Sequence, residues 1–265
     1  MNQQSFFTKV AQDMFLAQLK WSLWFLSFIL LAHIVMIIME VSIGIDGGIG
    51  DFLYFSHGSS KIYMLVIGIL SAYAFLTFYL NHGVTRKDYF TGSALAAAGI
   101  AIAIAVIASV LTGLEYVVME MTNLPVTFDR SMAGNVIETS DNSISIFLPK
   151  AILGSSILIH SSSWLVSLLM YTLNILIYYI IGWFIGAGYY RFGWLIGLGF
   201  ITSALVFMVI ADLLWGTELG EPLSNWLPFD SINLPVYGAT AGTILLIAII
   251  LWLIRLLTKN ITIKM

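Results

Sequence analysis

Charge and cysteine are what this sequence is short of. Of its 265 residues only 9% are charged, and none is cysteine. Without cysteine there is no disulfide framework, thiolate zinc site, iron–sulfur cluster or cysteine nucleophile. The scarcity of charge excludes more. A soluble domain carries about 25% charged residues, and a water-exposed globule of this size cannot cover itself with so few. Soluble enzymes and disordered chains therefore fall away. The net charge of −3 offers no basic footprint for nucleic acid, so no nucleic-acid partner is expected.

What is present is apolar. Hydrophobic residues make up 60% of the chain and the mean hydropathy is +0.96. A bilayer core of about 30 Å needs about 20 apolar residues as a helix. Six runs meet that length: Trp21–Ile43, Ile62–Leu80, Ser93–Leu114, Trp164–Tyr189, Gly193–Trp215 and Ala239–Leu257. They are too long and too evenly apolar for barrel strands, which run about 9–11 residues and alternate. Residues 144–163 are apolar but broken by Pro149, Lys150 and the run His160–Ser163. Their longest clean piece, Ala151 to Ile159, is nine residues, which suits a re-entrant or interfacial element rather than a span.

Charge placement separates six spans from seven. With six spans and both termini inside, Lys9, Lys20, Arg86, Lys87, Arg191, Arg255, Lys259 and Lys264 face the cytoplasm. Only Lys61, Arg130 and Lys150 are then outside, and of the acids only Asp13 and Asp88 are inside. Positive residues favour the cytoplasm, and a seventh span would reverse the bias. The expected fold is an all-α integral membrane bundle of six transmembrane helices. A short re-entrant or interfacial segment lies on its outer side. The mostly polar residues ahead of the first run do not fit a cleavable signal, and Asn2 excludes myristoylation.

Two segments face the cytoplasm in this layout. In residues 1–20 a helical projection gathers Phe6, Phe7, Val10, Met14 and Ala17 on one sector, opposite Lys9, Gln12, Asp13 and Lys20. It predicts an amphipathic helix in the interface, with residues 21–265 forming the six-span domain. The plainer alternative is an extension of the first span. The second segment is NHGVTRKDYFTG, Asn81 to Gly92. Asn81 and Gly83 suit a helix C-terminus, and Thr85 or Asp88 suits the cap of a new helix. Two readings stand: a short helix presented to a soluble partner, or an ordinary positive loop.

The run Gly83, Val84, Thr85, Arg86, Lys87, Asp88, Tyr89, Phe90 follows the second span in a G-x-x-R-[KD]-x-[FY]-like pattern. With the N-terminal helix, six spans and a broken apolar hairpin, it resembles ABC exporter permeases of the second type. The resemblance implies that residues 1–20 and 81–92 dock on a separate ABC ATPase subunit. Gly83, Arg86, Lys87, Asp88 and Phe90 would be the ATPase-coupling residues. It further implies a second permease subunit, lipid surroundings in a bacterial cytoplasmic membrane, and export of cargo such as amphipathic or antimicrobial peptides. ATP and Mg would sit on the partner subunit. This chain has no G-x-x-x-x-G-K-[ST] phosphate loop, and no cofactor or metal is expected on it.

Some polar residues fall where lipid is expected. His33 lies within the first span, and Glu40, Glu115 and Asp212 fall near outer span ends. They are the candidate pathway residues, because an intramembrane ionisable group is a functional hypothesis by default. The bland readings are a hydrogen-bonded core histidine and three solvated interfacial acids. His160 beside Ser161–Ser163 is sequence adjacency rather than a catalytic geometry. No G-x-S-x-G, H-E-x-x-H or paired intramembrane aspartate occurs, so no enzyme is expected. Gly182-x-x-x-Gly186, Gly193-x-x-x-Gly197 and Gly238-x-x-x-Gly242 permit close helix packing. The rival to the exporter is a secondary transporter or channel working without an ATPase. A non-transporting assembly subunit is a third class.

Overall fold

A computed structural model describes residues 6–43, 50–122, 164–215 and 234–259. Among these the chain forms α1 (Phe7–Ile43), α2 (Phe52–Leu70), a π-helical turn (Ser71–Phe75), α3 (Leu76–Asn81), α4 (Arg86–Thr122), α5 (Trp164–Phe192), α6 (Trp194–Leu214) and α7 (Val236–Thr258). The π turn joins α2 and α3 into one rod. Six units are long and apolar enough to cross a membrane, and no strand occurs among the described residues. The protein is a multi-pass, all-helical membrane bundle.

Helix α5 is its hub. Every residue from Ile177 to Gly188 is buried, the pattern of a helix with neighbours all round. Helix α2 runs parallel to it at backbone contact. A Cβ at Gly68 would meet the Tyr179 carbonyl oxygen at 2.1 Å, and one at Gly186 would meet the Cβ of Ala72 at 2.7 Å. Lipid supplies no hydrophobic drive between helices, so close packing of small residues does that work. The Gly182–Gly186 pair thus serves a seam within the chain.

Helices α1 and α4 form a second parallel pair. Phe7 and Val10 lie against Gly92, Ser93 donates to the Met14 sulfur at 3.1 Å, and His33 meets Glu115. The alanines of α4, among them Ala96, Ala97, Ala101 and Ala105, are buried. Both helices have 37 residues, about 55 Å at 1.5 Å per residue. That exceeds a bilayer core of about 30 Å, so the pair tilts or projects beyond it.

The bundle has a basic end and an acidic end. At the basic end Arg255 donates to the Arg86 carbonyl at 3.2 Å, and Arg191 donates to the carbonyls of Leu256 and Leu257 at 3.0 and 2.8 Å. At the other end the Phe52 amide meets Glu115, the Leu53 amide meets Thr112, and Ser56 meets Tyr171. Helix α4 therefore ends on the side of the bundle where α5 begins.

Residues 7–20 are helical but are not a separate element. Helix α1 continues through them unbroken to Ile43. Their apolar face is consumed by packing: Val10, Ala11 and Met14 are buried, and Gln18 is buried with them. The second span begins at Phe52 rather than Ile62, because Asp51 caps it by accepting from the Tyr54 amide at 3.0 Å. The third runs past both ends of Ser93–Leu114. The last three agree with the apolar runs to within a few residues. Residues 144–163 lie outside the described residues.

Candidate functional site

The turn at the basic end is built by two local rules. Helix α3 closes with Val84 N–H on the Tyr79 carbonyl and Gly83 N–H on the Leu80 carbonyl, both 3.1 Å. This pairing is a Schellman closure and needs a left-handed residue, which Gly83 supplies at φ +82°. Thr85 then caps α4. Its hydroxyl oxygen accepts from the Asp88 amide at 3.1 Å, and the hydroxyl donates to the Asp88 carboxylate at 2.9 Å. A carboxylate in the first turn also suits the positive end of the helix dipole.

The five ATPase-coupling candidates consequently have different settings. Arg86 and Lys87 are exposed on the first turn of α4. Gly83 shapes the turn and Asp88 stabilises the cap. Phe90 points inward, its ring 5.4 Å from that of Trp183 and equally 5.4 Å below the Arg255 guanidinium. No separate short helix crosses this face, since α4 starts at Arg86 directly after the turn.

The four pathway candidates do not form one ring. His33 Nε2 lies 2.6 Å from Glu115 Oε1, with the rings of Phe52 and Phe55 beside the imidazole. Glu115 Oε2 also accepts from the Phe52 amide at 2.9 Å. This carboxylate therefore joins α1, α2 and α4. Glu40 stands apart, about two turns further along α1. Asp212 belongs to another place, near the end of α6, where Oδ1 is 3.8 Å from Lys61 Nζ.

That second place was not visible as a cluster in the sequence. Lys61 reads there as an outer loop charge, yet it is buried on α2 with its ammonium 5.2 Å over the Tyr178 ring. His57, one turn away, is buried with its ring 5.0 Å from that of Tyr171. The Tyr171 hydroxyl bonds Ser56 and Ser60 at 3.1 and 2.9 Å. Asn174, fully buried, sits between Tyr171 and Tyr178 on α5. The signal was spacing. His57 and Lys61 are at i, i+4, while Tyr171, Asn174 and Tyr178 are at i, i+3, i+7, each set on one helical face.

A third polar network surrounds the π turn. Tyr179 and Ser71 share a hydroxyl contact of 2.6 Å, Gln18 donates to Tyr179 at 3.1 Å, and the Tyr89 hydroxyl donates to the Ser71 carbonyl. Four helical segments thus meet at a turn of a type that recurs at functional sites. No group of three metal-ligating side chains occurs among the described residues. Comparison with protein-family models, with curated proteins and with solved structures finds no match to this chain.

Proposed function

We propose that this chain is the membrane-spanning permease subunit of an ATP-driven ABC exporter in a bacterial cytoplasmic membrane. The basic end and both termini face the cytoplasm. The observation that carries the reading is the stiff turn at residues 82–88, which holds Arg86 and Lys87 out on the first turn of α4. A partner pressing on that turn presses on a helix continuous for 37 residues.

The partner is a separate ABC ATPase subunit carrying ATP and Mg, and a second permease subunit, identical or paralogous, completes the route. Nucleotide-dependent closure of the ATPases favours one arrangement of the bundle over another. Such a drive works only if the partner binds the two arrangements unequally. Amphipathic peptides are the proposed cargo. The direct test is co-purification with an ABC ATPase subunit co-expressed with this chain. Arg86→Glu with Lys87→Glu is expected to abolish it while leaving membrane insertion intact. Full retention of binding would remove the docking site from the proposal.

A second reading rests on the buried Lys61–Asp212 pair, because ionisable groups inside a bundle also mark ion or proton pathways. It is a secondary transporter needing no ATPase. Solute flux by the purified chain in liposomes without nucleotide would favour it.

A further inference from the structure

The α2–α5 seam holds buried polar atoms that have no partner among the described residues. Lys61 Nζ has no hydrogen-bond acceptor among the described residues, and neither do the two ring nitrogens of His57 or the two amide atoms of Asn174 have a partner there. All three side chains are at least 99% buried. Leaving a buried polar group unpaired costs about 1–3 kcal/mol, more when it is charged. A seam made of such groups is built to receive something polar.

The chemistry of the receiver follows from counting donors. An ammonium brings three N–H donors and no acceptor, a primary amide brings two donors, and a neutral imidazole one. Donors therefore exceed acceptors, and the complement is an oxygen anion. Its charge follows from the cations present. One lysine provides a single full positive charge, which suits a singly charged group rather than a phosphate dianion.

The position of Asp212 says how Lys61 is released. Its carboxylate is 3.8 Å away, an ion-pair distance beyond hydrogen-bond reach, and its side chain keeps 20% exposure against 1% for Lys61. Asp212 thus has solvent as well as Lys61 to hold its charge, whereas the enclosed Lys61 has only Asp212, at ion-pair distance.

We infer that Lys61, with His57 and Asn174 beside it, forms an intramembrane site for the carboxylate of a ligand, and that Asp212 at its edge competes for Lys61 when the site is empty of ligand. The carboxylate arrives either on a peptide C-terminus or on a fatty acid. The site lies wholly within this chain and does not depend on an ATPase, so it stands or falls separately from the exporter reading.

The test is thermal unfolding and titration calorimetry of the full chain in a non-ionic detergent. The probes are N-acetylglycine and octanoate, each against its neutral amide, with chloride as a further arm. Saturable stabilisation by either carboxylate, and by neither amide, is expected; which of the two acts identifies the source. Asp212→Asn is expected to tighten binding several-fold by removing the competitor. Lys61→Met with Asp212→Asn, which keeps the seam neutral and so protects folding, is expected to weaken it about tenfold or more, the scale of one charge-assisted contact. Binding that is unchanged in the double variant would overturn the proposal. So would equal effects of amide, chloride and carboxylate, or no saturable effect in the native chain, which would leave the seam filled by water alone.

Discussion

Gly182 lies so close to Leu65 that a Cβ on the glycine would come within 2.0 Å of the Leu65 carbonyl oxygen. The obstacle is backbone, which cannot swing aside. Gly182→Ala must therefore push α2 and α5 apart along their seam. The expected loss is about 1–3 kcal/mol, read as a lower unfolding midpoint in detergent. Gly199, where an added Cβ would meet nothing within 4 Å, is the control. Gly199→Ala is expected to be neutral or to stabilise by up to about 1 kcal/mol through helix propensity.

The His33–Glu115 contact predicts an asymmetry. Glu115→Ala removes the partner of His33 and the acceptor of the Phe52 amide together. His33→Phe leaves Glu115 its backbone donor and keeps a ring among Phe52 and Phe55. The glutamate variant is expected to lose about 2–3 kcal/mol and the histidine variant about 1 kcal/mol, on the scale of charged and neutral hydrogen bonds. Equal losses in denaturation would contradict this ordering. Loss of transport in His33→Phe with normal stability would move the residue from a structural role to the pathway.

At the basic end, Gly83→Ala and Thr85→Ala act on the turn by different routes. The first strains a left-handed residue, at about 1 kcal/mol. The second leaves the Asp88 amide without its cap, again at about 1 kcal/mol. Neither touches the exposed cations. Under the exporter reading, both variants still bind the ATPase but transmit its stroke less well, so stimulated ATP hydrolysis persists while transport falls.

Around the π turn, Tyr179→Phe removes the hydroxyl that Gln18 and Ser71 share. The expected cost is about 0.5–1.5 kcal/mol. Accumulation of Tyr179→Phe in membranes at native levels, with a slightly lowered unfolding midpoint in detergent, checks this.

The absence of cysteine gives a clean background for topology. Lys87→Cys and Lys259→Cys are expected to react with an impermeant maleimide from the same side of the membrane, and Glu120→Cys from the other. Labelling of positions 87 and 259 from opposite sides would contradict the order of the helices.

Much of this architecture is legible in the sequence because an apolar run announces a span whatever it packs against. Gly83 and Thr85 are legible for a similar reason, since their roles are set by neighbours a few residues away. The start of α2 is not. His57, Gly58, Ser59, Ser60 and Lys61 read as a polar loop, and become helix only because Tyr171, Tyr178 and Asp212 arrive from distant segments. The amphipathic face of residues 7–20 is legible, but not its use. A periodic pattern shows that one side is apolar and cannot distinguish a headgroup layer from the alanine face of α4.

The arginine contacts at the basic end have a consequence for how the chain inserts. Arg191 grips the last carbonyls of α7 and Arg255 grips the first carbonyl of α4. The same two residues contribute to the charge bias that orients a nascent chain. Orientation asks only for a positive charge, whereas the grip needs Nη1 of each guanidinium to reach a helix-end carbonyl. Lysine at both positions, with a shorter reach and a compact ammonium, would therefore thread the membrane correctly and still leave three rods unbuckled at one rim.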